Sequence, residues 1–70
     1  MEMTPVESTN LSAIGYDYDL GTLRIDFIKG GSYEYYGVPA EVYEGLLSAG
    51  SKGQYLNMNI KKAGYPYSPV

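Results

Sequence analysis

The chain has no cysteine, no histidine and no tryptophan in its 70 residues, and each absence excludes something. Without cysteine there is neither a disulfide staple nor a thiol nucleophile; without histidine the usual catalytic base and the commonest metal ligand are missing. Positive charge is scarce as well. Five Lys and Arg stand against eight Asp and Glu, a net charge of −3 and a pI of about 4.6, the wrong sign for a general nucleic-acid binder. No apolar run approaches the roughly 20 residues of a membrane span. The opening Met1-Glu2-Met3-Thr4-Pro5 lacks the basic start and apolar stretch of a signal peptide, so a cytoplasmic location away from membranes is expected. On that footing the sequon Asn10-Leu11-Ser12 is a chance match.

What the chain has is tyrosine: nine, with one phenylalanine. Seventy residues make one domain at the small end of what folds alone, burying about 60% of its unfolded surface. Aromatic rings bury a large area at low entropy cost, so tyrosines can carry much of such a core while their hydroxyls reach water.

Residues 1–8 are polar and read as an arm that is loose or orders on contact. Period-two alternation follows three times: Ile14, Tyr16 and Tyr18; Leu23, Ile25 and Phe27; Tyr33 and Tyr35. Each set is the inward face of a strand. A two-residue turn at Leu20-Gly21 would set Tyr16 opposite Ile25 and Ile14 opposite Phe27. A three-residue loop at Lys29-Gly30-Gly31 would set Phe27 opposite Tyr33, with a glycine supplying the left-handed residue such loops want. In this register Arg24 faces Asp17 and Tyr36, while Asp26 faces Glu34.

Val38-Pro39 then opens a helix with an apolar stripe of Val42, Tyr43, Leu46 and Leu47, closing near Gly50. Ser51-Lys52-Gly53-Gln54 is a capping box for a second helix with Tyr55, Leu56, Asn59 and Ile60 inward, ended by Gly64 and Pro66. The predicted fold is α+β: a three-stranded antiparallel meander followed by two short helices on one face, β-β-β-α-α. It spans residues 9–65 and is followed by a tail over 66–70.

The ordered series Tyr33-Glu34-Tyr35, Val38-Pro39, Tyr43, Ala49, Ser51-Lys52-Gly53, Asn57 and Ile60 resembles the KTSC domain, over about residues 9–65. That family takes its name from the C-terminus of some lysyl-tRNA synthetases and also occurs as short stand-alone proteins. The resemblance implies a domain of undetermined function, with RNA binding suggested by the synthetase association.

Ser51, Lys52 and Gly53 form the first candidate site, because free amides at a helix start, with a lysine beside them, favour phosphate or carboxylate. Capping explains Ser51 and Gln54 but not Gly53, which costs about 1 kcal/mol inside a helix. Tyr36 points outward, opposite Arg24, as a stacking candidate, whereas Tyr33 and Tyr35 fall on the core face. Lys61 and Lys62 suit a helix C-terminus and, with Lys52, Lys29 and Arg24, form at most a thin basic stripe. Asp17-Tyr18-Asp19-Leu20-Gly21 begins like a calcium loop but places Thr22 and Ile28 at the later glycine and acid positions. It is therefore read as a turn in which Asp19 bonds nearby amides, and no metal site is assigned.

A serine–lysine mechanism would need a desolvated lysine, for which so small a domain has little interior, and paired carboxylates would need a cleft. The expectation is a non-catalytic binding module without a cofactor. A protein partner leads, with the chain acting as adaptor or inhibitor in the manner of small phage-type accessory proteins, supported by negative charge and abundant tyrosine. RNA binding through the Tyr cluster and the start of the second helix is the alternative. An exposed edge at Ile14–Tyr18 or Tyr33–Tyr36 would also permit self-pairing. The tail Tyr65-Pro66-Tyr67-Ser68-Pro69-Val70 could serve as a recognition segment, but is expected rather to fold back over the sheet edge or stay loose.

Overall fold

A computed structural model describes all residues from Met1 to Val70. Five strands, β1 (Met3–Pro5), β2 (Leu11–Asp17), β3 (Thr22–Phe27), β4 (Ser32–Tyr35) and β5 (Tyr67–Pro69), form one antiparallel sheet in sequence order. Two helices, α1 (Ala40–Ser48) and α2 (Lys52–Leu56), lie between β4 and β5 in sequence, and α2 runs on into a π-helical turn over Asn57–Lys61. The Lys62 N–H donates to the Asn57 carbonyl at 3.1 Å, the i→i+5 bond of that turn.

The three central strands and two helices fall where the hydrophobic pattern puts them. The sheet, however, has five strands rather than three. The arm over residues 1–8 supplies β1, pairing Thr4 with Ile14, and the tail supplies β5, pairing Tyr67 with Tyr35. Both strands are three residues long and carry prolines, Pro5 and Pro69. They exist because the flanking strands present unpaired amides and carbonyls, and proline is tolerated at an edge. Of the edges expected to self-pair, Tyr33–Tyr35 is thereby covered within the chain, and Ile14–Tyr18 is covered at Ile14 and Gly15.

Register differs from expectation by two residues at both hairpins. Ile14 faces Ile25 and Tyr16 faces Leu23, with Asp17–Thr22 closing a turn over residues 18–21. Asp17, not Asp19, organises it: Asp17 Oδ1 accepts from the Asp19 and Leu20 amides at 2.9 and 3.0 Å. At the second hairpin Ile25 faces Tyr33 and Leu23 faces Tyr35. The loop does hold three residues, but they are Ile28-Lys29-Gly30, closed by the Phe27 N–H on the Gly31 carbonyl at 2.9 Å. Gly30 and Gly31 both take positive φ, 101° and 83°, which a Cβ would resist. A slip of two leaves every side chain on its own face, so the apolar set still points inward. It does change charge pairing. Arg24 faces Gly15 and Glu34 rather than Asp17, and Asp26 faces Ser32 rather than Glu34, so the expected like-charge pair does not form.

A β-bulge between Leu11 and Ala13 adds a further feature. Residues three apart in a regular strand point to opposite faces; the extra residue lets Leu11 and Ile14 both bury fully. The core joins them to Leu23, Ile25 and Tyr35 from the sheet, Val38 from the β4–α1 link, Leu46 from α1, Leu56 from α2 and Ile60 from the π turn. Asn59, expected inward, is exposed. Tyr16 stacks on Tyr43 with centroids 4.8 Å apart, and its hydroxyl donates to the Val38 carbonyl.

Candidate functional site

The candidate residues divide between two faces of the sheet. Arg24 and Tyr36 lie on the side away from the helices, where Arg24 Nε is 3.1 Å from Asp26 Oδ1 and the Tyr36 hydroxyl donates to Glu34 Oε1 at 3.3 Å. Tyr36 does not face Arg24, whose cross-strand neighbour is Glu34. Asp17, Asp26 and Glu34 give this side an acidic character, and its one arginine is already paired.

Ser51, Lys52 and Gly53 each have structural work. The Ser51 hydroxyl accepts from the Gln54 amide at 3.4 Å, capping α2 as the capping box predicts. Lys52 Nζ donates to the Ala49 carbonyl at 3.1 Å, just past the end of α1. Gly53 has a negative φ, so no unusual backbone demands it; instead the Asn10 side chain lies against it, and an added Cβ would sit 2.8 Å from Asn10 Nδ2. Close approach between α2 and the chain leading into β2 is what the capping box left unexplained. Lys62 is exposed beyond the π turn.

Lys61 is in a different position. Its Nζ lies 5.3 Å from the centroid of the Phe27 ring, a cation–π arrangement worth about 0.5–1 kcal/mol at an exposed site. Two grooves meet there. One, about 470 Å³, is bounded by the residues before β2, the β3–β4 loop and α2, and is lined by Asn10, Phe27, Lys29, Gly53 and Lys61 among others. The other, about 350 Å³, is lined by Phe27, Tyr33, Tyr35, Lys61, Tyr65 and Tyr67. Both volumes fall within the roughly 300–1,000 Å³ of small-ligand sites. The helices cover the inner face of the sheet only in part, and these grooves occupy the rest.

The second groove is lined by five aromatic rings and Lys61. Tyr33 meets Phe27 edge-on at 5.9 Å, and Tyr67 lies 6.0 Å from Tyr33 and 5.6 Å from Tyr35. Tyr35 is 4% exposed, and burial, followed by the neighbouring Tyr67 and Tyr33 hydroxyls, raises its pKa above the ordinary tyrosine value. Tyr67, by contrast, is 63% exposed. No Asp or Glu lines either groove, in a chain with eight of them.

Of the residues singled out in the sequence, then, Ser51, Lys52 and Gly53 share a polar hollow of about 350 Å³ with Glu7, Ser8 and Thr9, while Gly53, Lys61 and Lys29 meet at the groove beside Phe27. Phe27, Asn10 and Tyr67 were not singled out as site residues. Phe27 reads as core from its alternation, Asn10 as a chance sequon and Tyr67 as part of a tail; their meeting depends on the bulge, the α2 approach and β5.

A family model for the KTSC domain matches residues 7–65. A protein of Tsukamurella paurometabola is 44% identical over 59 residues, covering 84% of this chain and 88% of its own length. A protein of Stutzerimonas stutzeri is 36% identical over 67 residues, covering 96% and 94%. A lysine–tRNA ligase of Nostoc punctiforme is 42% identical over 55 residues, 79% of this chain but 10% of the ligase. The crystal structure of a KTSC domain protein from Yersinia pestis superposes with a TM-score of 0.94 at 35% identity, covering 99% of this chain and 96% of that one. The chain is therefore a member of the KTSC domain family.

Proposed function

We propose that this domain is a non-catalytic binding module whose ligand is a short single-stranded RNA segment, held in the paired grooves on either side of Lys61. The observation that carries this reading is that exposed aromatic surface and two lysines line a surface free of carboxylates on a chain whose net charge is −3. Net charge alone puts a protein partner ahead of RNA; the placement of the charges reverses that order, because a nucleic acid meets the local field within about a Debye length. Tyr67 and Tyr33 offer rings for base stacking, worth on the order of 1–3 kcal/mol per base, and Lys29 and Lys61 offer phosphate contacts. The likeness to a segment of lysine–tRNA ligases supports the same direction.

The test is fluorescence anisotropy with labelled single-stranded RNA hexamers. Two phosphate contacts on a single strand give a slope of about −1.4 in log affinity against log salt, or about sevenfold weaker binding at 200 mM than at 50 mM salt. Tyr67→Ala should weaken binding by about fivefold or more, and Lys61→Glu should flatten the salt dependence. Binding that ignores salt and both substitutions would overturn the reading.

A protein-docking reading rests on a separate observation: Tyr18 and Leu20 are 63% and 74% exposed side by side in the β2–β3 turn, at the opposite end of β3 from Phe27. A partner seated there would survive nuclease treatment and be lost with Leu20→Asp, while Tyr67→Ala would leave it in place.

A further inference from the structure

We infer that Asn10 reads base identity in the groove and selects adenine at the nucleotide seated beside Phe27; this rests on the RNA reading above and deepens it. The main chain of Asn10 is held on both sides. Its N–H donates to Ser8 Oγ at 3.2 Å, and its carbonyl accepts from the Ile28 N–H at 2.9 Å. The Leu11 N–H also reaches Ser8 Oγ, at 3.3 Å, so the turn before β2 is closed by one hydroxyl. The side chain lies against Gly53, where any larger residue would bring a Cβ to 2.8 Å from Nδ2. Yet the carboxamide makes no hydrogen bond within the chain. Asn10 is exposed, and its donor and acceptor stay open to a ligand in the groove.

Those open groups line the groove that Phe27, Lys29 and Lys61 also line. A carboxamide presents one donor and one acceptor in a plane, and adenine answers with an amino donor beside a ring-nitrogen acceptor, the favoured match for asparagine. The ring of Phe27 offers a stacking face to the same base once Lys61 swings from it to a phosphate. Glycine at position 53, at the expense of helix propensity, is what lets the carboxamide lie there.

Anisotropy with labelled rA6, rU6 and rC6 tests this, using the wild type, Asn10→Ala and Gly53→Ala. The wild type should prefer rA6 by about fivefold or more, the lower range of a bidentate base contact. Asn10→Ala should lose the preference while keeping salt-dependent binding. Gly53→Ala adds a methyl that displaces the carboxamide without altering Asn10, strengthens the helix, and should lose the preference too, with circular dichroism confirming an intact fold. Equal affinity of the wild type for the three hexamers, or a preference that survives Asn10→Ala, overturns the Asn10 inference and leaves the groove reading standing. Absence of wild-type binding to any hexamer overturns both.

Discussion

Gly45 lies in the middle of α1, where glycine costs about 1 kcal/mol relative to alanine, and alanine there would nevertheless destabilise the protein. A Cβ added at Gly45 would overlap the Tyr55 hydroxyl and come within 2.8 Å of Tyr55 Cζ and 3.2 Å of Cε2. Tyr55 crosses α1 from α2 and packs against the core, so the ring cannot yield as a free side-chain tip would. Overpacking of this kind costs about 1–3 kcal/mol. Taking about 2 for the displaced ring and about 1 for the gain in helix propensity, Gly45→Ala should lose about 1 kcal/mol net. With a urea m-value near 1 kcal/mol/M, the midpoint falls by about 1 M. Repeating the substitution in a Tyr55→Ala background isolates the cause: with the ring gone, the propensity gain stands alone and Gly45→Ala should stabilise by about 1 kcal/mol. The sign reversal, a coupling of about 2 kcal/mol, is what the double-mutant cycle measures. A Gly45→Ala that destabilises equally in both backgrounds would refute the helix–helix contact as the reason for the glycine.

Two further outcomes follow from the core. Leu46, fully buried on α1, should cost about 2–5 kcal/mol when replaced by alanine; at about 4–8 °C per kcal/mol for a domain of this size, calorimetry should show a fall in Tm of about 8 °C or more. Alkaline pH should destabilise the fold through Tyr35 and Tyr16, whose pKa values are raised first by burial and, for Tyr16, next by the Asp17 carboxylate. A raised folded pKa means the stabilisation is complete below about pH 10, the unfolded value, and is lost as pH rises through the folded pKa values. Absorbance at 295 nm should therefore show late tyrosines ionising together with unfolding, and Tyr35→Phe should weaken that coupling.

The inward positions of the three central strands, the stripe of α1 and the Ser51 cap were legible because they are local: alternation and 3.6-residue spacing show which side chains share a face, and Ser51 and Gln54 are three residues apart. Registers were not legible, because alternation has period two and a slip of two residues preserves it; turn closure by Asp17 and by the Phe27–Gly31 bond decides between them. Nor were β1 and β5, polar or proline-bearing segments with too little pattern to form strands alone, whose pairing comes from edges that β2 and β4 leave open. Alternation places Phe27 and Tyr35 on the core face, and only the extent of helix coverage decides that Phe27 stays half-buried while Tyr35 is buried. The sequence by itself therefore determined most of the inward positions and where the helices lie, since these follow from near neighbours along the chain; Tyr18, drawn into the turn beyond Asp17, and Asn59 were expected inward and are exposed. The tertiary structure alone decided the sheet's width and register, the reason for Gly45 and Gly53, and the groove shared by Asn10, Phe27 and Lys61, since each depends on residues that meet only when distant segments pack.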